Sequence, residues 1–133
     1  MHPTKRFLLT EGIADCIHIE LAMILEIDPV EPEPWLLARA AQVLREGGIV
    51  VMPTDTVYGL TCGITHHEAI RRIYKLKDMD PKKPLSILVA DMAMVGRYTR
   101  GVTTPAFRLL KRVLPGPYTF IFEASPELSL IHI

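Results

Sequence analysis

The sequence has few of the features that mark secreted, metal-bound or membrane proteins. Its two cysteines, Cys16 and Cys62, form no Cys-x-x-Cys pair and have no histidine spacing suited to zinc, so neither a disulfide framework nor a zinc site is expected. No apolar run approaches the roughly 18 residues that a membrane-spanning helix needs, and the N terminus lacks the order of a signal peptide. These absences predict a soluble, reduced, cytoplasmic protein with no membrane partner.

Common catalytic and nucleotide-binding motifs are also missing. The chain contains no Gly-x-Gly-x-x-Gly, no P-loop and no Gly-x-Ser-x-Gly elbow, so any nucleotide must be held in another way. His66 and His67 are adjacent and point apart on a helix, which makes them poor joint ligands. No resident metal site is therefore predicted.

The formal net charge is zero, but the charges are unevenly distributed along the chain. The stretch Glu11–Glu46 has eight acidic residues against two basic ones, whereas Arg71–Arg112 has eleven basic residues against three acidic ones. The basic stretch, with Tyr74 and Tyr98 interspersed, either forms a patch for the phosphates of a nucleotide or RNA, or consists of solvated helix faces.

The length of 133 residues suits a single hydrophobic core. Residues 1–22 show neither a helical nor a strand period and are predicted to be an N-terminal extension of a domain at 23–133. Alternating elements indicate an α/β domain with a twisted mixed sheet flanked by helices. The first three predicted elements indicate a right-handed crossover between parallel strands. They are strand Ile24–Ile27, a helix that begins at Pro34 and ends at Gly47-Gly48, and strand Ile49–Met52.

The second half of the chain continues the alternation. Thr65 and Glu68 form a capping-box pattern that predicts a helix from His66 to Lys77. Two prolines predict a cationic loop over Asp78–Pro84. The remaining predicted elements are strands at Leu60–Gly63, Leu85–Val89 and Tyr118–Phe122 and helices at Met92–Tyr98 and Thr104–Leu114.

The segment Pro53–Leu60, Pro-Thr-Asp-Thr-Val-Tyr-Gly-Leu, is the most informative part of the sequence. It follows the apolar run Gly48–Met52, and its proline ends the predicted strand because proline donates no ladder hydrogen bond. Ligands of open α/β sheets lie outside the carboxyl ends of strands, so Thr54, Asp55 and Thr56 are candidate ligand contacts. The alternative is an ordinary Pro-Thr-Asp-Thr turn.

Several ordered motifs together resemble a known family. Pro53–Leu60 is followed by Ala69-Ile70-x-x-Ile73 leading into Lys77, then by Lys83-Pro84-Leu85, then by Pro115-Gly116-Pro117-x-Thr119-Phe120. This order resembles the YrdC-like fold, which includes threonylcarbamoyl-AMP synthases and the YciO branch. The resemblance covers about Met23 to Ala124.

The resemblance implies a cytosolic enzyme that converts ATP, L-threonine and bicarbonate into threonylcarbamoyl-AMP and pyrophosphate, an early step of a tRNA adenosine (t6A) modification. Mg²⁺ is implied as the companion of ATP. Thr54 and Thr56 would contact the threonine substrate. Lys77 would be the catalytic lysine of the Lys-x-Arg motif. The residues implied in nucleotide binding are Lys77, Lys82, Lys83 and Thr119.

Two departures from the family pattern bear on catalysis. Met79 replaces the arginine of Lys-x-Arg and removes a bidentate phosphate contact. The chain also ends at Ile133, before the Ser-x-Asn motif, so a C-terminally truncated domain with ends outside the family pattern is expected. Leu85–Leu88 and the tract Tyr98–Phe122 resemble the YciO branch more closely.

The alternative function is a non-catalytic YciO-like module that binds double-stranded RNA or tRNA. It is based on the basic stretch and the missing arginine. Arg71, Arg72 and Lys75, on one side of the predicted helix, would be its RNA contacts.

Overall fold

The computed structural model describes residues 5–10 and 22–131. It divides into two compact units, one ending at Pro81 and the other beginning at Lys82. The strands and helices are β1 Lys5–Thr10, β2 Ala22–Ile27, α1 Pro34–Arg45, β3 Ile49–Pro53, β4 Tyr58–Cys62, α2 His67–Leu76, α3 Met92–Tyr98, α4 Thr104–Val113 and α5 Pro126–Ile131.

The strands of the first unit form one sheet in the order β2-β1-β3-β4. Every hydrogen-bonded pair in this sheet is antiparallel. Leu9 of β1 is aligned with Met23 of β2 on one side and with Val50 of β3 on the other. A sheet accompanied by helices confirms the predicted α/β class.

Strand β1 lies within residues 1–22, for which the sequence predicted neither a helix nor a strand. β1 pairs with both β2 and β3, and its Leu9 is completely buried. β2 and β3 run parallel to each other and are connected through α1, as predicted, but they are not neighbours in the sheet because β1 lies between them. Residues 7–9, Phe-Leu-Leu, are consecutively apolar, so β1 does not show the alternation of polar and apolar residues by which a half-buried strand is recognised in a sequence.

The core of the first unit forms where α1 packs on one face of the sheet. Burying each large apolar side chain there contributes about 1.5 to 3 kcal/mol. α1 begins at Pro34, as predicted. Amides in the first turn of a helix have no intrahelical partner, so the missing amide hydrogen of proline costs no helical hydrogen bond there. The buried residues of this cluster are Leu9, Leu25, Ile27, Leu36, Ala40, Val43 and Val50.

The turn after α1 agrees with the predicted helix end. Gly47 has a φ of +81°, a conformation that glycine adopts at little cost. The amide of Gly48 then donates to the carbonyl of Val43 at 2.8 Å. These contacts redirect the chain into β3.

The predicted capping box at the start of α2 is wrong. The helix begins at His67, its N-cap residue is His66, and no side chain caps it. Glu68 instead accepts two hydrogen bonds from Arg71, at 2.6 and 3.1 Å. The Glu68 carboxylate therefore pairs with Arg71, three residues later on the helix, and does not reach back to the N-cap as a capping box requires.

The helices of the second unit largely match their predictions. α3 has the predicted bounds, and Asp91 caps it by accepting from the amide of Met94 at 2.8 Å. α4 ends one residue before the predicted Leu114, and Thr103 accepts from Ala106 at its start. α5 was not predicted, although Pro126 opens it.

The strands predicted at Leu85–Val89 and Tyr118–Phe122 are absent, and both predictions are wrong. Leu88 is 59% exposed and Ile121 is 96% exposed. A strand is stabilised through pairing with a neighbour, and in residues 82–131 the only β pairing is the isolated bridge between Thr99 and Ala124. Neither apolar segment has a strand partner in that range.

Nowhere in the described ranges does a helix have both the length and the apolar character needed to cross a bilayer.

Candidate functional site

The Pro-Thr-Asp-Thr segment forms the turn of an antiparallel hairpin between β3 and β4. Pro53 is aligned with Tyr58, and residues 54–57 connect them. The Thr54 hydroxyl donates to the carbonyl of Val57 at 2.5 Å, and the amide of Thr54 donates to the same carbonyl at 3.0 Å. Thr54 therefore stabilises the turn, which is the alternative that the sequence left open.

The other two polar residues of this turn face solvent. Asp55 and Thr56 are exposed, and the amide of Thr56 lies 3.4 Å from the Thr54 hydroxyl oxygen. β3 is antiparallel to both of its neighbours, so the rule for the carboxyl ends of parallel strands does not apply here. The substrate roles assigned to Thr54 and Thr56 remain predictions.

The C-terminal end of α2 carries Lys77 in a well-defined cap. The amide of Asp78 donates to the carbonyl of Lys75, and the amide of Met79 donates to the carbonyl of Tyr74 at 3.0 Å. Asp78 has a φ of +47°, so these bonds form a Schellman motif with Asp78 in the left-handed position. The motif brings the apolar pair Met79 and Tyr74 to the end of the helix.

An open hollow of about 410 Å³ lies beside this cap. It combines two cations and one carboxylate with an aromatic ring and apolar surface. Neither Lys77 nor Thr56 lines it, so this hollow is not the one expected between the two. Its lining residues are Arg71, Tyr74, Lys75, Asp78, Met79 and Pro81.

The three predicted RNA contacts on α2 differ in environment. Arg71 is exposed and bound to Glu68, Lys75 is exposed, and Arg72 is half-buried. Arg71 and Lys75 both reach the hollow. The structure therefore brings together two of the three residues.

The remaining predicted phosphate-binding residues belong to the second unit. Lys82 and Lys83 are exposed at its start, and Thr119 is exposed after Pro117. Gly116 lies in the turn before Thr119, where a Cβ atom would come within 2.5 Å of the Val113 carbonyl oxygen. Only glycine fits this turn without a shift of the backbone.

The described parts of the chain gather no three potential metal ligands among His, Cys, Asp and Glu. The His66 ring packs against Gly47 and Gly63, where added Cβ atoms would lie 3.1 and 2.6 Å from it. Burial raises the pKa of the Cys62 thiol, which favours the neutral, less nucleophilic form at neutral pH.

The hollow was not predicted from the sequence. Tyr74 was noted as an aromatic residue within the basic stretch, and Met79 was noted for the arginine it replaces. Asp78 could have indicated the end of α2, because aspartate tolerates the left-handed conformation that often follows the last residue of a helix. An apolar residue directly after such a cap commonly packs back on the last turn.

Comparison with known proteins identifies the family. The family model for Sua5, YciO and YrdC proteins, described as "Telomere recombination", matches residues 42–132. The chain belongs to the Sua5/YciO/YrdC family. The resemblance seen in the sequence motifs is thereby confirmed.

Individual relatives come from both branches of this family. The chain is 44% identical over 97 residues to the human threonylcarbamoyl-AMP synthase, covering 71% of this chain and 34% of that protein. It is 32% identical over 108 residues to the uncharacterized protein YciO of Escherichia coli K12, covering 81% of this chain and 52% of YciO.

The fold is also similar to a solved structure. The crystal structure of E. coli YciO matches with a TM-score of 0.66 at 33% identity, covering 73% of this chain and 47% of that one. The chain thus spans between about a third and about a half of the length of these relatives.

Proposed function

We propose that this Sua5/YciO/YrdC family domain acts in threonylcarbamoyl-AMP synthesis from ATP, L-threonine and bicarbonate, supplying t6A modification of tRNA in the cytoplasm. The observation that carries the proposal is the family match over residues 42–132. That range contains the hairpin turn, Lys77, Lys82-Lys83 and Thr119. The 44% identity to a protein named threonylcarbamoyl-AMP synthase supports the same assignment.

The proposed reaction joins three substrates in two bond-forming steps. The threonine amine attacks the bicarbonate carbon, and water is lost as the carbamate forms. A carbamate oxygen then attacks the α-phosphorus of ATP, and the bond from that phosphorus to pyrophosphate breaks. Negative charge develops on the departing pyrophosphate, so fixed cations lower the barrier.

The roles of individual residues follow from this charge distribution. Lys77 is the candidate catalytic residue that would offset charge on the phosphates, with Lys82, Lys83 and Thr119 as further phosphate contacts. Thr56 would hydrogen-bond threonine. Mg²⁺ would neutralise part of the triphosphate charge when ATP binds.

The test is pyrophosphate release by the purified protein, with threonylcarbamoyl-AMP detected by mass spectrometry. Lys77→Ala should lower kcat/KM about 100-fold or more, because a charge contact to the transition state is lost. Thr56→Ala should cost about 0.5 to 1.5 kcal/mol, a two- to thirteen-fold rise in KM for threonine. Lys111→Ala, an exposed lysine outside the proposed site, is the matched control.

Omission experiments decide the outcome. Pyrophosphate release should require both threonine and bicarbonate. Absence of product at saturating substrates, or release that does not depend on threonine, contradicts the proposal.

Met79→Arg restores the family's arginine and should strengthen ATP binding if the site is organised for ATP, with Met79→Leu as its control.

A second candidate function is binding of double-stranded RNA or tRNA. The observation that favours it is the pair of exposed cations, Arg71 and Lys75, which lie one turn apart on α2. Half-buried Arg72 would add a third positive charge. Phosphate contacts of this kind give affinity that depends on salt rather than on sequence.

The RNA candidate predicts a steep fall in duplex affinity as salt rises from about 50 to 200 mM. Lys75→Ala should reduce the slope of log K against log salt by about one unit if that lysine contacts a phosphate. Lys111→Ala again provides the control. Absent or salt-independent binding contradicts this candidate.

A further inference from the structure

The start of α1 exposes the single tryptophan of the sequence. Trp35 is the second residue of the helix and is 69% exposed, whereas Leu36 and Ala40 of the same helix are buried. A side chain of this kind buries about 150 to 250 Å² when it packs in a core or an interface. Tryptophan is also among the residues that dominate binding at protein interfaces. Trp35 is therefore a candidate contact with a partner.

The segment that leads into Trp35 is acidic and conformationally restricted. Two exposed glutamates, Glu31 and Glu33, alternate with prolines, each of which fixes one backbone φ. The Asp28 carboxylate accepts from the amide of Glu31 at 3.2 Å and orders the start of the segment. A restricted segment loses little conformational entropy on binding. The indole and the two negative charges are thus presented to solvent together.

The hollow beside the α2 cap has complementary features. Tyr74, Met79 and Pro81 supply aromatic and apolar surface, while Arg71 and Lys75 supply positive charge. The hollow is open and has a volume of about 410 Å³, so an indole ring can enter it. Cations beside an aromatic guest add a favourable interaction with the face of its ring.

The acidic residue of the lining also suits an indole. Asp78 lines the hollow, and a carboxylate there requires a hydrogen-bond donor. The indole N–H is a donor, so a tryptophan side chain can satisfy this carboxylate while its ring contacts the apolar lining. Trp35 is not among the residues that line the hollow of its own molecule. The contact therefore has to be made between two molecules.

We propose that the chain associates with a second copy of itself, with Trp35 of one molecule inserted into the hollow of the other. Glu31 and Glu33 of the first molecule then pair with Arg71 and Lys75 of the second. The two surfaces differ, so the interface is head-to-tail, and each dimer still has one Trp35 and one hollow available. This self-association goes beyond both the synthase and the RNA proposals.

The first experiment measures the mass of the full chain by sedimentation velocity as its concentration rises. The contact is smaller than a standard interface, so association should appear between about 10 µM and 1 mM. Tryptophan emission should shift to shorter wavelength over the same range, because the indole leaves water. A monomer with unchanged emission at every concentration overturns the proposal and leaves Trp35 to a different partner.

Two substitutions each remove one half of the contact. Trp35→Ala removes the inserted ring, and Lys75→Glu places a negative charge opposite the glutamates. Each variant alone should remain a monomer where the unchanged chain associates, and Arg71→Glu should behave like Lys75→Glu. Leu37→Ala and Lys111→Glu are the matched controls, because they alter exposed residues outside the contact and should associate normally. Circular dichroism checks that each variant is folded.

A mixture of the two defective variants tests the head-to-tail geometry. The Lys75→Glu chain still offers Trp35, and the Trp35→Ala chain still offers an intact hollow, so they should form a one-to-one dimer and nothing larger. Only the Lys75→Glu chain contains tryptophan, so its emission shift reports this one contact. The affinity should fall several-fold between about 50 and 500 mM salt, because exposed charge pairs are screened. No dimer in the mixture, or self-association retained by Trp35→Ala alone, overturns the proposal.

Discussion

Two glycines show how differently one residue type is constrained in this protein. A Cβ atom on Gly116 would lie 2.5 Å from the backbone oxygen of Val113, whereas one on Gly96 would meet nothing within 4 Å. Gly116→Ala should therefore destabilise the fold by about 1 to 3 kcal/mol through forced backbone movement. Gly96→Ala, within α3, should stabilise it by up to about 1 kcal/mol through higher helix propensity.

Urea unfolding followed by circular dichroism measures both substitutions. The unfolding midpoint should fall for Gly116→Ala and rise or stay constant for Gly96→Ala. Equal midpoints for the two variants would contradict the steric account of the Gly116 turn.

Residue-level features were predictable where one local interaction has no competitor. The helix start at Pro34 and the chain reversal at Gly47 follow from backbone restrictions alone. The role of Glu68 was not predictable in the same way, because Arg71 competes for its carboxylate. The Thr54 hydroxyl similarly bonds within its own turn, so its sequence position alone does not identify a ligand contact.

At the scale of elements, an ion pair connects α3 to α5. The Glu127 carboxylate accepts from Nε of Arg97 at 2.7 Å and also from its Nη2. The hydrogen bond from Arg97 lowers the pKa of Glu127 below its ordinary value of 4.5. A lowered folded-state pKa means that ionisation of Glu127 favours the folded arrangement at pH values above that ordinary value.

Acidification should therefore weaken the attachment of α5. The stabilisation is present above pH 4.5 and is lost as the pH falls from there through the lowered pKa of folded Glu127. Amide hydrogen exchange in α5 should accelerate over that interval, measured by NMR after correction for intrinsic exchange. Glu127→Gln should remove this pH dependence, and an unchanged pH profile in that variant would contradict the assignment.

Elements that depend on local pattern were predicted better than those that depend on distant partners. α3 and α4 were predictable because capping residues and apolar spacing lie within the helices themselves. Leu85–Val89 and Tyr118–Phe122 have strand-forming composition, but composition does not reveal whether a neighbouring strand is present. Most of the helical fold was therefore predictable, whereas the sheet order depends on long-range contacts.

At the scale of the whole molecule, the described apolar core is concentrated in the first unit. Among residues with described burial, Val95 and Leu110 are the only buried apolar residues of the second unit. The sheet core instead includes Leu9 of β1, which the sequence placed in an N-terminal extension. The assignment of 1–22 and 23–133 as separate segments stays a prediction, but β1 is part of the first unit.

Substitution of Leu9 tests this arrangement directly. Leu9 is fully buried between β2 and β3, so Leu9→Ala should destabilise the first unit by about 2 to 5 kcal/mol through lost burial and a residual cavity. The measurement is native-state hydrogen exchange, in which the amides of β3 should lose protection. Ile24→Ala is the matched control, because Ile24 is 58% exposed on the partner strand and should cost well under half as much. No effect of Leu9→Ala, or an effect as small as the one expected for Ile24→Ala, would contradict the place of Leu9 in the sheet core.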